Sequence, residues 1–197
     1  MKILVGTSNL GKIAEYKALL QPHFDPIPIS DLKLTLDVDE TGLTYEENAL
    51  LKLNYLKDKS PIPIITDDSG LEVEELGGRP GVHSARYSGV NASDDSNIEK
   101  LLLELGNSQN RKGKFVCTIA YFNPLTREDI IISQGECAGE IITERRGTSG
   151  FGYDPIFYVT KFGKTLAELS QVEKNLISHR YEAIKNGKTY HTGVNNE

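Results

Sequence analysis

Short apolar runs along this chain alternate with stretches in which apolar residues return every three or four positions, the pattern of strands followed by helices. Lys2-Ile3-Leu4-Val5-Gly6 reads as a first strand, followed by a helix with Ile13, Tyr16 and Leu20 on its apolar side. Residues 22–43 carry prolines and acids and read as a loop or an edge strand. Thr44 and Glu47 form a capping box, and Leu50, Leu53 and Leu56 supply the stripe of the helix that follows. The run Ile62–Thr66 is a buried strand. It is expected to leave the core at Asp67-Asp68-Ser69-Gly70.

The glycine-rich stretch Leu76–Gly89 predicts no regular element. Its Arg86, Tyr87 and His83 make it a shaped loop beside a ligand rather than a linker. Ser93 or Asp94 caps a helix that buries Ile98, Leu101, Leu102 and Leu105 and closes at Gly106. Phe115–Phe122, apolar on both faces, predicts a central strand. Ile130–Ser133 and Gly139–Thr143 add two strands in a meander, and Ile156–Val159 another. Ser170 and Glu173 form a further capping box. Beyond it, Lys174 and Arg180 on one continuous helix would point apart, at about 100° per residue. If the helix breaks with Ser178 as the new N-cap, both cations turn toward Asp68, and His179 and Arg180 lie at a positive helix end. The alternative is a single surface helix with a basic face.

Composition narrows the class. The 197 residues, 38% of them hydrophobic and 25% charged, suffice for one domain with two closely joined lobes, residues 1–197. A formal charge of -6 argues against a general nucleic-acid or membrane-surface binder, so an anionic ligand needs a local Lys/Arg cluster, a metal, or both. Cys117 and Cys137 stand in apolar stretches and read as buried free thiols. There is no membrane-length apolar run and no signal peptide, which places the protein most simply in the cytoplasm.

Two consecutive acids at the end of a strand are costly to desolvate unless a cation meets them, and Mg²⁺ suits a site of few carboxylates and phosphate oxygens. A solvated turn with an Asx-type bond is the plain alternative. Gly6 through Lys12 matches most of a P-loop, but Ile13 stands where Ser or Thr should hold Mg²⁺. Phosphate binding by Lys12 and the Ser8-Asn9 turn survives that objection, beside the reading in which Ser8 or Asn9 only caps the helix. Glycines flanking Phe151 free its ring to stack on a planar ligand, or the ring is a core Phe in a turn. Glu40 is a second metal carboxylate or part of a solvated acidic loop.

Five stretches stand in order: Thr7-Ser8-Asn9-Leu10-Gly11-Lys12, Glu40-Thr41-Gly42, Thr66–Leu71, Ser149–Pro155, and Glu173-Lys174 with Ser178-His179-Arg180. With the loop Ser84–Gly89, they resemble the pyrophosphatases of non-canonical purine nucleoside triphosphates, the inosine triphosphatase (HAM1/RdgB-like) family, from Lys2 to about Lys185. The resemblance implies an elongated α/β fold with a mixed, twisted β-sheet flanked by helices, an active site in the cleft between two lobes, and a homodimer. It implies Mg²⁺-dependent hydrolysis of ITP, dITP and XTP to the monophosphate and pyrophosphate. Carried over by motif, Thr7, Ser8, Asn9, Leu10, Gly11 and Lys12 would hold phosphate. Glu40 and Asp68 would serve the metal, and Asp68 would accept the proton of the attacking water. Ser69, Phe151, Gly152, Tyr153, Asp154, Lys174, His179 and Arg180 would bind substrate, with donors of the Phe151–Asp154 loop or the Ser178–Arg180 turn meeting a 6-keto group. Ser8 and Ser149 occupy positions where many relatives have glycine, and a polar tail follows Asn186-Gly187. A P-loop-like nucleotide phosphatase and a nucleotide-binding regulatory module without turnover are the other readings of these residues.

Overall fold

The computed structural model describes residues 1–126 and 129–187; the polar tail beyond Gly187 lies outside them. Strand β1 (Lys2–Val5) leads into helix α1 (Leu10–Leu20) and back to β2 (Asp25–Pro28). β2 pairs in parallel with β1, so the proline-rich segment does form an edge strand, where the missing proline N–H groups cost least. Helix α2 (Tyr45–Leu56) opens on the expected Thr44–Glu47 capping box. Strand β3 (Ile64–Val73) pairs in parallel with β1 through Leu4–Ile64 and Val5–Ile65. Helix α3 (Asp94–Leu105) starts on a Ser93 cap and ends at Gly106. The long strands β4 (Lys112–Phe122) and β5 (Ile131–Ile141) follow, then β6 (Phe157–Val159), β7 (Lys164–Thr165), α4 (Gln171–Asn175) and α5 (His179–Asn186). Among the described residues the seven strands form one mixed sheet in the order β2-β1-β3-β4-β5-β6-β7, with parallel pairs at β1 and antiparallel pairs at β6. No helix of the described residues is long and apolar enough to cross a membrane.

The chain divides into two compact units, each with its own core. Of the described residues, the first comprises Met1–Asp68, Cys117–Gly135 and 180–187; the second comprises Ser69–Val116 and Glu136–His179. In the first unit, pleating of β1 sends Ile3 and Val5 to one face and Leu4 to the other. Ile3, Val5 and Ile65 pack with Tyr16 and Leu20 of α1 and Ala183 and Ile184 of α5. Leu4 and Ile64 pack instead with Ala49, Leu53 and Leu56 of α2. Fully buried side chains such as Leu53 and Leu56 each contribute about 1.5–3 kcal/mol. The second unit packs Ile98 and Leu101 of α3 against Leu71, Val73, Phe115 and Phe157.

Four local expectations are corrected. β3 does not end at the acids but runs through them to Val73, because both carboxylates find partners inside the fold. Gly70 sustains the strand there: a Cβ would lie 2.1 Å from the Gly81 carbonyl oxygen. The two short strands expected at 130–133 and 139–143 are one strand, β5. Gly139 does not break it but makes room for the Phe157 ring and the Tyr158 carbonyl of β6, which a Cβ would meet at 2.7 and 2.6 Å. Gly81–Arg86 forms a 3-10 helix within the glycine-rich loop, fixed by Tyr153 Oη donating to the Ser84 carbonyl at 2.9 Å and by Leu71 N–H donating to Ser84 Oγ at 2.8 Å. The buried stripe of α2 is Tyr45, Asn48, Ala49, Lys52, Leu53 and Leu56; Leu50 is only partly buried. The helix break before His179 is present, since α4 stops at Asn175.

Candidate active site

Because β3 continues through the acids, Asp67 and Asp68 point to opposite faces. Asp67 shares the face of Ile65, toward α1 and α5. Its Oδ2 lies 3.0 Å from Lys12 Nζ and accepts an N–H of Arg180 at 2.8 Å. The other arm of Arg180 donates to Glu15 of α1. The Cys117 thiol approaches the same Oδ2 at 3.7 Å. Burial alone would raise the Asp67 pKa, but Lys12 and Arg180 outweigh it and hold the carboxyl well below its usual range. Burial likewise opposes the charge on Lys12 and on Arg180. Asp67, with Glu15 for Arg180, reverses the sign and raises both. The Cys117 thiol is pushed up, by burial first and by Asp67 next.

Asp68 shares the face of Ile64 and Thr66, toward α2. Its Oδ2 accepts from Asn48 Nδ2 at 2.9 Å, and Thr66 Oγ1 donates to the Ala49 carbonyl at 2.8 Å. One turn further along α2, Lys52 Nζ lies 2.6 Å from Glu40 Oε1. Burial is the largest influence on Asp68 and raises its pKa. Lys12, Lys52 and the Asn48 bond offset it only in part, and the Glu40 charge adds to the rise. Glu40 and Asp68 therefore share one electrostatic field, with Lys52 as a buried counter-charge.

Thr7 is buried and its Oγ1 accepts from Asn9 N–H at 3.2 Å, while Asn9 Oδ1 caps α1 by accepting from Lys12 N–H at 3.1 Å. Ser8, Asn9 and Leu10 are exposed and Gly11 is half-buried. Gly6 serves packing: a Cβ would lie 2.6 Å from Thr66 Cγ2 and 2.7 Å from Leu56 Cδ1.

In the second unit, Asp154 organises the aromatic loop. Its Oδ2 accepts from Lys174 Nζ at 2.7 Å and from Phe151 N–H at 3.0 Å, and the Lys174 ammonium stands 4.9 Å from the centre of the Phe151 ring. The Gly152 N–H is donated to Asp94 Oδ2 at 2.7 Å, and Asp154 N–H to the Phe151 carbonyl at 3.3 Å. The N–H groups of Phe151, Gly152 and Asp154 are thus engaged within the unit. His179 stacks on Phe115, with ring centres 5.0 Å apart. Ser69 is half-buried on β3.

The expectation that Arg180 faces Asp68 is corrected. Arg180 is committed to Asp67 and Glu15, on the opposite face of β3, and Lys174 is paired with Asp154. Sequence reasoning also missed Asn48, Lys52 and Glu15. The first two are polar residues four apart on the buried side of α2, which a phase count back from Leu53 and Leu56 would have exposed.

Among the described residues no three His, Cys, Asp or Glu side chains gather as a metal cluster. The pair Glu40 and Asp68 matches instead a hard cation that takes one or two carboxylates and fills its remaining positions with water or phosphate oxygens.

The model of the Ham1 family matches residues 3–190. The chain belongs to the Ham1 family. A Staphylococcus aureus (strain MRSA252) relative named dITP/XTP pyrophosphatase is 46% identical over 195 residues, covering 99% of this chain and 98% of the relative. A Halalkalibacterium halodurans relative of the same name is 45% identical, covering 92% and 94%. The structure of the Staphylococcus aureus Ham1 protein superposes with a TM-score of 0.85 at 45% identity, over 98% of this chain and 99% of that one. A HAM1 protein from Coxiella burnetii gives 0.85 at 38% identity, over 98% and 100%. The α/β architecture expected from the motifs is therefore the Ham1 fold, and the five motif stretches lie within the region that the family model matches.

Proposed function

We propose that this Ham1-family chain hydrolyses dITP, XTP and ITP to the nucleoside monophosphate and pyrophosphate, as a single catalytic domain. The substrate class rests on the near-full-length similarity to relatives named dITP/XTP pyrophosphatase. The observation that carries the chemistry is Asp68, a buried carboxylate held by Asn48 and raised in proton affinity beside Glu40.

A carboxylate of ordinary pKa, about 4, is a poor base for water, and one shifted upward is better matched to the task. In this reading Asp68 takes the proton of the attacking water, whose oxygen bonds to the α-phosphorus. The bond from that phosphorus to the α–β bridging oxygen breaks, and its electron pair leaves with pyrophosphate. Lys12 and the amino end of α1 hold the phosphates, an arrangement suited to anions. Glu40 and Asp68 would hold Mg²⁺, which when bound supplies charge neutralisation and acidifies water. Phe151, steadied by Lys174 and Asp154, offers a face on which a purine stacks. Recognition of a 6-keto oxygen is assigned to donors of the Phe151–Asp154 loop or of the Ser178–Arg180 turn. Adenine, with a donor at that position, would leave a buried group unpaired, which can discriminate by about 10⁴-fold. A homodimer and a cytoplasmic setting complete the proposal, on the strength of the family resemblance.

Product analysis tests it. Incubation with ITP, dITP, XTP, GTP and ATP in the presence of Mg²⁺, followed by chromatography, is expected to give monophosphate plus pyrophosphate from the first three. Release of IDP and orthophosphate, or consumption of ATP as fast as ITP, would overturn the reading.

A further inference from the structure

Asp68 and Glu40 lie on different elements, one in β3 and the other in an irregular segment before α2. For both to serve one reaction, something must hold that segment in register with the strand. The segment is tied to α2 at three successive peptide groups. Gly42 N–H donates to Asn48 Oδ1 at 2.8 Å, Leu43 N–H to Glu47 Oε2 at 2.6 Å, and Thr44 N–H to the same oxygen at 3.2 Å. Asn48 also returns a donor to the Gly42 carbonyl at 3.4 Å, so its amide pairs with both sides of Gly42. That same amide donates to Asp68 Oδ2 at 2.9 Å. Asn48 is 0% exposed, in a helix face that also buries Tyr45, Ala49, Lys52, Leu53 and Leu56.

We propose that Asn48 is a positioning residue, a clamp that fixes the Glu40-Thr41-Gly42 segment to the Asp68 carboxylate, an assignment that rests on the roles given to Asp68 and Glu40 above. With Oδ1 occupied by the Gly42 N–H, the amide cannot turn over, and its NH₂ is aimed at Asp68. Gly42 is the matching half of the device: a Cβ there would lie 2.6 Å from Asn48 Oδ1 and force the amide away. A purely space-filling role would be met better by leucine, since a buried amide is tolerated only when its hydrogen bonds are made. Lys52, one turn on, then holds the Glu40 carboxylate at 2.6 Å, so a single helix face sets both acids.

The test uses the full chain with Asn48→Ala, Asn48→Leu and Gly42→Ala, where the leucine variant refills the space and the glycine variant keeps the Asn48 side chain. For each folded variant, kcat and KM for ITP are measured with Mg²⁺. Mn²⁺ affinity without nucleotide is measured by electron paramagnetic resonance. Loss of a side chain that orients ligands typically costs about 10–100-fold in activity or metal affinity. The clamp predicts that loss in kcat and in Mn²⁺ affinity, with KM within about threefold of wild type, since the phosphate- and base-binding residues are untouched. A folded variant with kcat and Mn²⁺ affinity both within about twofold of wild type would overturn it, as would full activity in Gly42→Ala. A wild type that leaves ITP intact would instead defeat the proposed function, and the Mn²⁺ titration would then decide the clamp on its own.

Discussion

Asp67 and Asp68 are chemically identical neighbours in one strand, yet the two faces of β3 treat them in opposite ways. On the α1/α5 face, Asp67 meets Lys12 and Arg180, and its carboxyl is held ionised far into acid. On the α2 face, burial lifts the proton affinity of Asp68, and Lys12, Lys52 and the Asn48 amide offset it only in part, against the nearby Glu40 charge. The difference teaches that burial by itself does not decide the charge of a carboxylate. Both are nearly inaccessible, at 0% and 4%, and the sign of the shift follows from the partners that each face supplies. One face stores stability in ion pairs; the other holds the proposed base.

Three substitutions would break or sharpen this contrast. The largest effect is expected from Asp68→Asn, which is nearly isosteric and removes the proposed base. Turnover of ITP should fall by about 10³-fold or more, within the range for general-base removal. The thermal midpoint should stay the same or rise, because a carboxyl whose folded pKa is raised loses stability as pH climbs past its unfolded value. Near-normal kcat at saturating Mg²⁺ would make Asp68 a structural residue.

Asp67→Asn should do the reverse. It leaves Lys12 and Arg180 facing a neutral amide, and breaking a buried pair costs about 3–5 kcal/mol. Urea unfolding at pH 7 should show that loss. The Asp67 carboxyl is depressed in the folded state, so its stabilisation is fully present above the unfolded pKa of about 4 and fades as pH falls below it. The gap between wild type and variant should therefore narrow in acid. A gap that stays constant down to pH 2 would mean that Asp67 acts through packing and not charge.

The smallest effect is expected from Cys117→Ala. The thiol touches Asp67 only as a weak donor at 3.7 Å, beside an acid already paired with two cations. Its loss should cost about 1 kcal/mol in stability and change kcat by less than about threefold. A larger loss of activity would place the thiol among the groups that tune the α1/α5 face.

Local chemistry was legible in the chain because it depends on residues a few positions apart. The capping boxes at Thr44 and Ser170, the Ser93 cap, the break before His179 and the β-branched runs of β1 and β3 are all such short-range features. The acids, lysines and glycines that mark a Ham1-family chain were visible for the same reason. What the sequence alone determined was therefore the inventory of elements and of chemical groups. The pairing of those groups was decided by the tertiary structure. Arg180 reaches Glu15 and Asp67 across separations of 165 and 113 residues, which no local periodicity encodes. The glycine that seemed to end β3 instead let the 81–84 turn pack against it, so the strand ran on and pleating split Asp67 from Asp68. Asn48 and Lys52 read as ordinary polar positions until the packing of α2 buried them. The physical reason is common to all three cases. Desolvation and ion pairing depend on what surrounds a side chain in space, and a sequence states only what precedes and follows it.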